Sequence, residues 1–120
     1  MNRVLVVDDE PSICQIISTL LDLEGFEVMT APDGRAALQC VIDTVPDFVL
    51  SDMRMPHMNG FELIAAIRSN PQLASVRCIL LAGFSDDDPA TAQALALADA
   101  CVNKPFTREA LLDTLRSLRA

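Results

Sequence analysis

Val4-Leu5-Val6-Val7-Asp8-Asp9-Glu10-Pro11 decides the fold of this chain. Four β-branched or aliphatic residues in a row fit a short strand buried on both faces. The run stops at three acids, and the proline after them suits the first turn of a helix. Ile13, Ile16, Ile17, Leu20 and Leu21 then recur at i, i+3, i+4, i+7 and i+8, one face of a helix that Gly25 closes. A buried strand, an acidic turn and an amphipathic helix make one β-α unit.

The same unit repeats outward from this stretch. Glu27–Ala31 reads as a second strand, and Asp33-Gly34 opens a helix carrying Ala37, Leu38, Val41 and Ile42. Phe48-Val49-Leu50 is a third strand that ends at Ser51-Asp52. Asn59-Gly60-Phe61-Glu62 reads as a capping box, and Leu63, Ile64 and Ile67 carry that helix to about Ser69. Residues 76–82 form a fourth strand, followed by an alanine-rich, weakly amphipathic helix over 89–98. Ala100–Asn103 is a short fifth strand, and Thr107 caps a last helix with Leu111, Leu112, Leu115 and Leu118 on one side. Regular alternation predicts an α/β fold, a five-stranded parallel sheet flanked by helices, because parallel strands need crossover connections. No linker, repeat or low-complexity run divides the 120 residues, so one domain over 1–120 is expected.

Composition narrows the function. Nine Lys+Arg against 17 Asp+Glu give a net charge of -8, which disfavours direct contact with nucleic acid or an anionic membrane. No apolar stretch approaches a membrane span or a signal peptide, so a cytoplasmic protein is expected. Cys14, Cys40, Cys78 and Cys101 are widely spaced, without a metal or redox pattern, and are expected to be mostly buried, reduced thiols.

In sheets of this kind ligands bind outside the carboxyl ends of the strands, where strand order reverses. Strand one ends at Asp8-Asp9, strand three at Asp52, strand four at Ala82-Gly83 and strand five at Lys104-Pro105. Three carboxylates would converge there with one ammonium. Such crowding raises carboxylate pKa values unless a cation joins the group, and a hard divalent ion, Mg²⁺, suits the oxygen donors. The plainer alternative makes one of Asp8, Asp9 or Glu10 a helix cap. That leaves the other acids and Asp52 without a reason.

The chain is similar over its full length to the receiver domains of bacterial two-component response regulators. The matching pieces are Val4 to Pro11, Leu50-Ser51-Asp52-Met53-Arg54-Met55-Pro56, Met58-Asn59-Gly60 and Lys104-Pro105-Phe106. The resemblance implies the flavodoxin-like, CheY-like doubly wound order 2-1-3-4-5. It implies Asp52 as phosphoacceptor, Lys104 as a phosphoryl contact, and Asp8, Asp9, Asp52 and the backbone carbonyl of Arg54 as Mg²⁺ ligands. It also implies a cis bond before Pro105. The implied partners are a sensor histidine kinase or histidine phosphotransfer protein, and a downstream protein target or an output domain missing from this chain.

The chain departs from the resemblance at two switch positions. Ala82 stands where a Thr or Ser is usual, and Cys101 where a Tyr or Phe is usual. These departures favour a phosphorylation-independent pseudo-receiver, a protein-interaction module; the acids and Lys104 favour an active receiver. A Mg²⁺-dependent phosphohydrolase is the third reading, but Arg54 stands where such an enzyme needs a second acid. Catalysis beyond self-phosphorylation from a phosphodonor is therefore not expected. Asp86-Asp87-Asp88 is expected to cap the fourth helix or to join an acidic partner surface, and His57 to lie exposed in a loop. Nothing follows the fifth helix, so both a stand-alone regulator and the receiver of a longer protein stay open.

Overall fold

A computed structural model describes residues 2–55, 57–83 and 89–118. The elements are β1 (Arg3–Val7), α1 (Pro11–Leu23), β2 (Glu27–Ala31), α2 (Gly34–Thr44), β3 (Phe48–Asp52), α3 (Gly60–Arg68), a 3₁₀ turn (Pro71–Leu73), β4 (Arg77–Ala82), α4 (Pro89–Leu97), β5 (Ala100–Asn103) and α5 (Arg108–Leu118). The five strands form one parallel sheet in the order β2-β1-β3-β4-β5. The chain therefore runs from β1 to one side and then returns to the other, so the order reverses at β1 and β3. Both strands place their carboxyl ends at that crevice.

Alternating side chains divide the core. Leu5, Val7, Val49, Cys78, Leu80 and Ala82 meet Ala37 and Val41 of α2, Leu63, Ile64 and Ile67 of α3, and Ala94 of α4. On the other face, Val4, Val6, Phe48, Leu50, Ile79, Leu81 and Val102 meet Cys14, Ile17 and Leu21 of α1 and the leucines of α5. Val4 to Val7 are fully buried, as strands covered on both faces must be.

Local chemistry fixes the helix ends. Asp33 accepts a hydrogen bond from the Ala36 N–H, and Thr107 Oγ1 accepts one from the Ala110 N–H. Asn59 and Glu62 make both bonds of a capping box. Gly25 turns the chain out of α1 at φ +89°, a region that L side chains rarely adopt. The two charges of Arg108 and Arg116 pair with Glu24, tying α5 to the end of α1.

Several expectations need correction. The buried stripe of α1 is Cys14, Ile17 and Leu21, while Ile16 is 52% exposed. A helix that rests on a single sheet face buries one narrow row, and Ile16 falls about 100° away from Ile17. Ile42 is likewise exposed on α2. The cysteines are less uniformly buried than expected: Cys14 and Cys78 are buried, Cys40 is half-buried and Cys101 is exposed. Cys101 lies on an edge strand, on the face opposite Val102, beside a helix that buries only Thr91 and Ala94. The fourth strand and helix are each one residue shorter than read from the sequence, starting at Arg77 and ending at Leu97. Pro56, the acidic run Asp86-Asp87-Asp88 and Ser85 lie outside the described residues.

Candidate functional site

Asp52 is the last residue of β3 and is nearly buried. Its carboxylate is held from two sides. Oδ1 accepts the Met53 N–H at 2.9 Å and the Lys104 ammonium at 2.9 Å. Its backbone carbonyl accepts the Ser51 hydroxyl at 2.9 Å. Behind it, the Gly60 N–H donates to the Met53 carbonyl at 2.8 Å. A Cβ on Gly60 would come within 2.7 Å of the Asp52 carbonyl, so glycine lets α3 approach β3 closely here.

Asp8 and Asp9 follow β1. The Asp8 N–H continues the β1–β2 ladder by donating to the Ala31 carbonyl. Asp8 Oδ1 accepts the Glu10 N–H at 2.9 Å, so one oxygen does serve the start of α1, as the plainer sequence reading holds. Glu10 itself, at the N-cap, makes no side-chain cap. Asp8 Oδ2 is different: it is buried and accepts no hydrogen bond among the described residues. Lys104 Nζ lies 3.7 Å from it, in ion-pair range but too far to donate.

The three acids offer oxygens that all lie within 4.8 Å of one another. Burial pushes the Asp8 carboxyl above its ordinary pKa; the Glu10 N–H opposes this, the Asp52 charge adds to it, Lys104 opposes it and Asp9 adds to it. The Cys14 thiol donates to the Asp8 carbonyl at 3.5 Å, and burial followed by the Asp8 charge raises its pKa as well. One ammonium therefore faces three carboxylates. An all-oxygen donor set with an orphaned buried oxygen fits a hard divalent cation such as Mg²⁺.

The other candidates fall around this cluster. The Lys104–Pro105 peptide is cis. Arg54 is exposed, two residues past Asp52 in the loop to α3. Ala82 is buried at the end of β4, and Cys101 is exposed. His57 is exposed with φ 70°. The structure brings Asp8, Asp9, Asp52 and Lys104 together; Cys101 lies back along β5. Sequence reasoning missed Ser51 and Asn103. Ser51 could have been found from its place beside Asp52; Asn103 carries no signal until β4 and β5 are put in register.

Fold and cluster together define a doubly wound parallel α/β protein with an acidic, lysine-bearing pocket at its switch point. The response regulator receiver domain family matches residues 4–116, and the chain belongs to that family, which receives signals in two-component systems. It is 37% identical to the regulatory protein AtoC of Escherichia coli over 92% of its own length and 24% of that protein's. It spans 24–50% of the length of AtoC, of the CpxR homolog of Haemophilus influenzae and of MtrA of Mycolicibacterium smegmatis. Among solved structures, it superposes on the chemotaxis protein CheY4 of Vibrio cholerae with TM-score 0.88 at 38% identity, covering 99% of both chains. The response regulator TrrA of Thermotoga maritima, solved in complex with Mg²⁺-BeF, gives TM-score 0.86 at 33% identity, covering 99% of this chain and 100% of that one.

Proposed function

We propose that residues 1–120 form one receiver domain that accepts a phosphoryl group on Asp52 and signals by changed protein–protein contacts. The observation that carries this is the state of the Asp52 carboxylate. Oδ1 accepts from Met53 and Lys104, while Oδ2 accepts no hydrogen bond among the described residues and keeps its lone pairs. The proposed donor is a phosphohistidine of a sensor kinase or phosphotransfer protein, which goes with a cytoplasmic location. Asp52 Oδ2 forms the new P–O bond. The donor's P–N bond breaks with its electron pair going to the imidazole nitrogen, which takes up a proton. Lys104 balances charge on the phosphoryl oxygens, and the Met53 N–H holds the carboxylate in line. Positioning and charge compensation supply most of the catalysis in such a transfer.

Asp8, Asp9, Asp52 and the Arg54 carbonyl are the proposed ligands of Mg²⁺. When bound, the ion would neutralise the carboxylates and charge on the transferred group. The chain then acts as a self-phosphorylating signal carrier without a further substrate. Its output is a separate protein or a domain of a longer polypeptide, as the long relatives allow.

Intact-mass measurement after incubation with Mg²⁺ and phosphoramidate tests the reading, with Asp52→Asn as control. One labile phosphoryl group, absent from the variant, is expected. No modification from phosphoramidate or a cognate kinase would establish the pseudo-receiver instead.

A further inference from the structure

A cavity of about 170 Å³ opens beside the acidic cluster, walled by Ala82, Gly83, Asn103 and Lys104. It is joined to the cluster through Lys104, whose ammonium bonds Asp52 Oδ1. Register orders the strand ends around it. Asp52 pairs with Leu81, so a phosphoryl group carried past the end of β3 lies level with Ala82 and Gly83 on the neighbouring strand. Ala82 pairs with Asn103, so their side chains share one face, the one opposite Asp52 and Leu81, and they meet a group on Asp52 over the carboxyl ends of the strands. The Ala82 methyl has no hydrogen to donate. The Asn103 carboxamide has two, and it makes no hydrogen bond among the described residues.

We infer that Asn103 is a phosphoryl-contact residue: its carboxamide donates to a phosphoryl oxygen on Asp52, directly or across one ordered water in this cavity. The inference rests on Asp52 being the phosphoacceptor. A cavity of this size holds a phosphoryl oxygen and water together, since a water occupies about 30 Å³. The methyl of Ala82 keeps that space open. Lys104 supplies charge on one side of the group, and Asn103 supplies a neutral, directional donor on the other.

The test compares wild type, Asn103→Ala, Ala82→Thr and the double variant Ala82→Thr/Asn103→Ala, with Asp52→Asn as control. Two quantities are read: the affinity for beryllofluoride with Mg²⁺, and the rate of labelling by phosphoramidate. Asn103 is exposed on an edge strand, so thermal unfolding of Asn103→Ala should match wild type. Both quantities should fall about tenfold in Asn103→Ala, the lower end of one hydrogen bond to a charged group. Ala82→Thr places a hydroxyl in the same cavity and should restore both in the double variant. Labelled wild type with unchanged Asn103→Ala overturns this inference alone. A loss that Ala82→Thr does not restore overturns it too, because Asn103 would then act outside the cavity. Unlabelled wild type overturns the receiver reading and this inference with it.

Discussion

Asp8→Asn should make the cation-free protein more stable. Asp8 is nine-tenths buried or more, and its Oδ2 has no hydrogen bond among the described residues. Burial, the largest influence, opposes its charge and outweighs the attraction of Lys104, which is itself stronger than the repulsion by Asp9. The Asp52 carboxylate repels it as well, with an oxygen no more than 4.8 Å away. At an effective dielectric constant of about 20, that repulsion is about 3.5 kcal/mol. Asparagine keeps an acceptor for the Glu10 N–H but loses its charge, which costs about 1 kcal/mol. A net gain of about 2–3 kcal/mol follows, or about 1–2 M in the urea midpoint. Urea unfolding in EDTA measures it directly. Mg²⁺ should then raise wild type by about 2.7 kcal/mol at a hundred times its dissociation constant, and the variant far less. An Asp8→Asn protein no more stable than wild type in EDTA, yet equally stabilised by Mg²⁺, would refute the electrostatic account of the pocket.

Three further outcomes are expected. Gly60→Ala puts a methyl against the Asp52 carbonyl and the Met53 Cα, where backbone has to move, so stability should fall by about 1–3 kcal/mol and phosphoramidate labelling of Asp52 should slow; unchanged labelling would show that the β3–α3 contact does not position Asp52. Asn59→Ala removes the acceptor for the Glu62 N–H and should lower unfolding stability by about 1 kcal/mol, without changing the rate of labelling. Burial raises the Cys78 thiol from 9.0 to about 11, so its stabilising contribution is complete below pH 9.0 and is lost as pH rises through about 11. That loss is about 3 kcal/mol. The stability difference between wild type and Cys78→Ala should therefore shrink across that window, and a constant difference would sink the assignment.

Element order was legible because the strands are short, largely apolar runs ending at turn residues, and α2, α3 and α5 start on caps visible in the sequence. Asp33, Asn59 and Thr107 all cap as their types predict. The acids and Lys104 were legible as ends of strands, since sheets of this class gather their carboxyl edges at one crevice. What escaped the sequence depends on depth and register. Ile13, Ile16 and Ile17 are all apolar at helical spacing, and only the docking of α1 on the sheet exposes Ile16 while burying Ile17 and Cys14. Cys101 gives no hint that α4 leaves it open. Asn103 acquires meaning only when β4 and β5 are aligned, because its neighbour in space is 21 positions away in sequence.

The hydrogen bonds around Asp52 come from Met53, Ser51 and Lys104, and the close approach of α3 through Gly60 supports them. All of these come from the protein's own groups. The carboxylate is therefore positioned by the fold, and the unfavourable part of the site is confined to charge: a buried Asp8 oxygen with no donor and too few positive groups. A cation or a phosphoryl group held there would change that charge balance. The balance is shared by residues from β1, β3 and β5, so a change at Asp52 reaches both halves of the sheet through Asp8 and Lys104. α4 is held on the adjoining face by little buried surface, essentially Thr91 and Ala94. Shifting it costs less than shifting α3 or α5, which bury whole rows of leucine and isoleucine. A coupling free energy is expressed where the opposing packing is weakest. With a methyl at Ala82 and a small, exposed thiol at Cys101, neither position offers a hydroxyl or a ring to the cluster, and Lys104, bonded to Asp52, is the polar group that joins β5 to it.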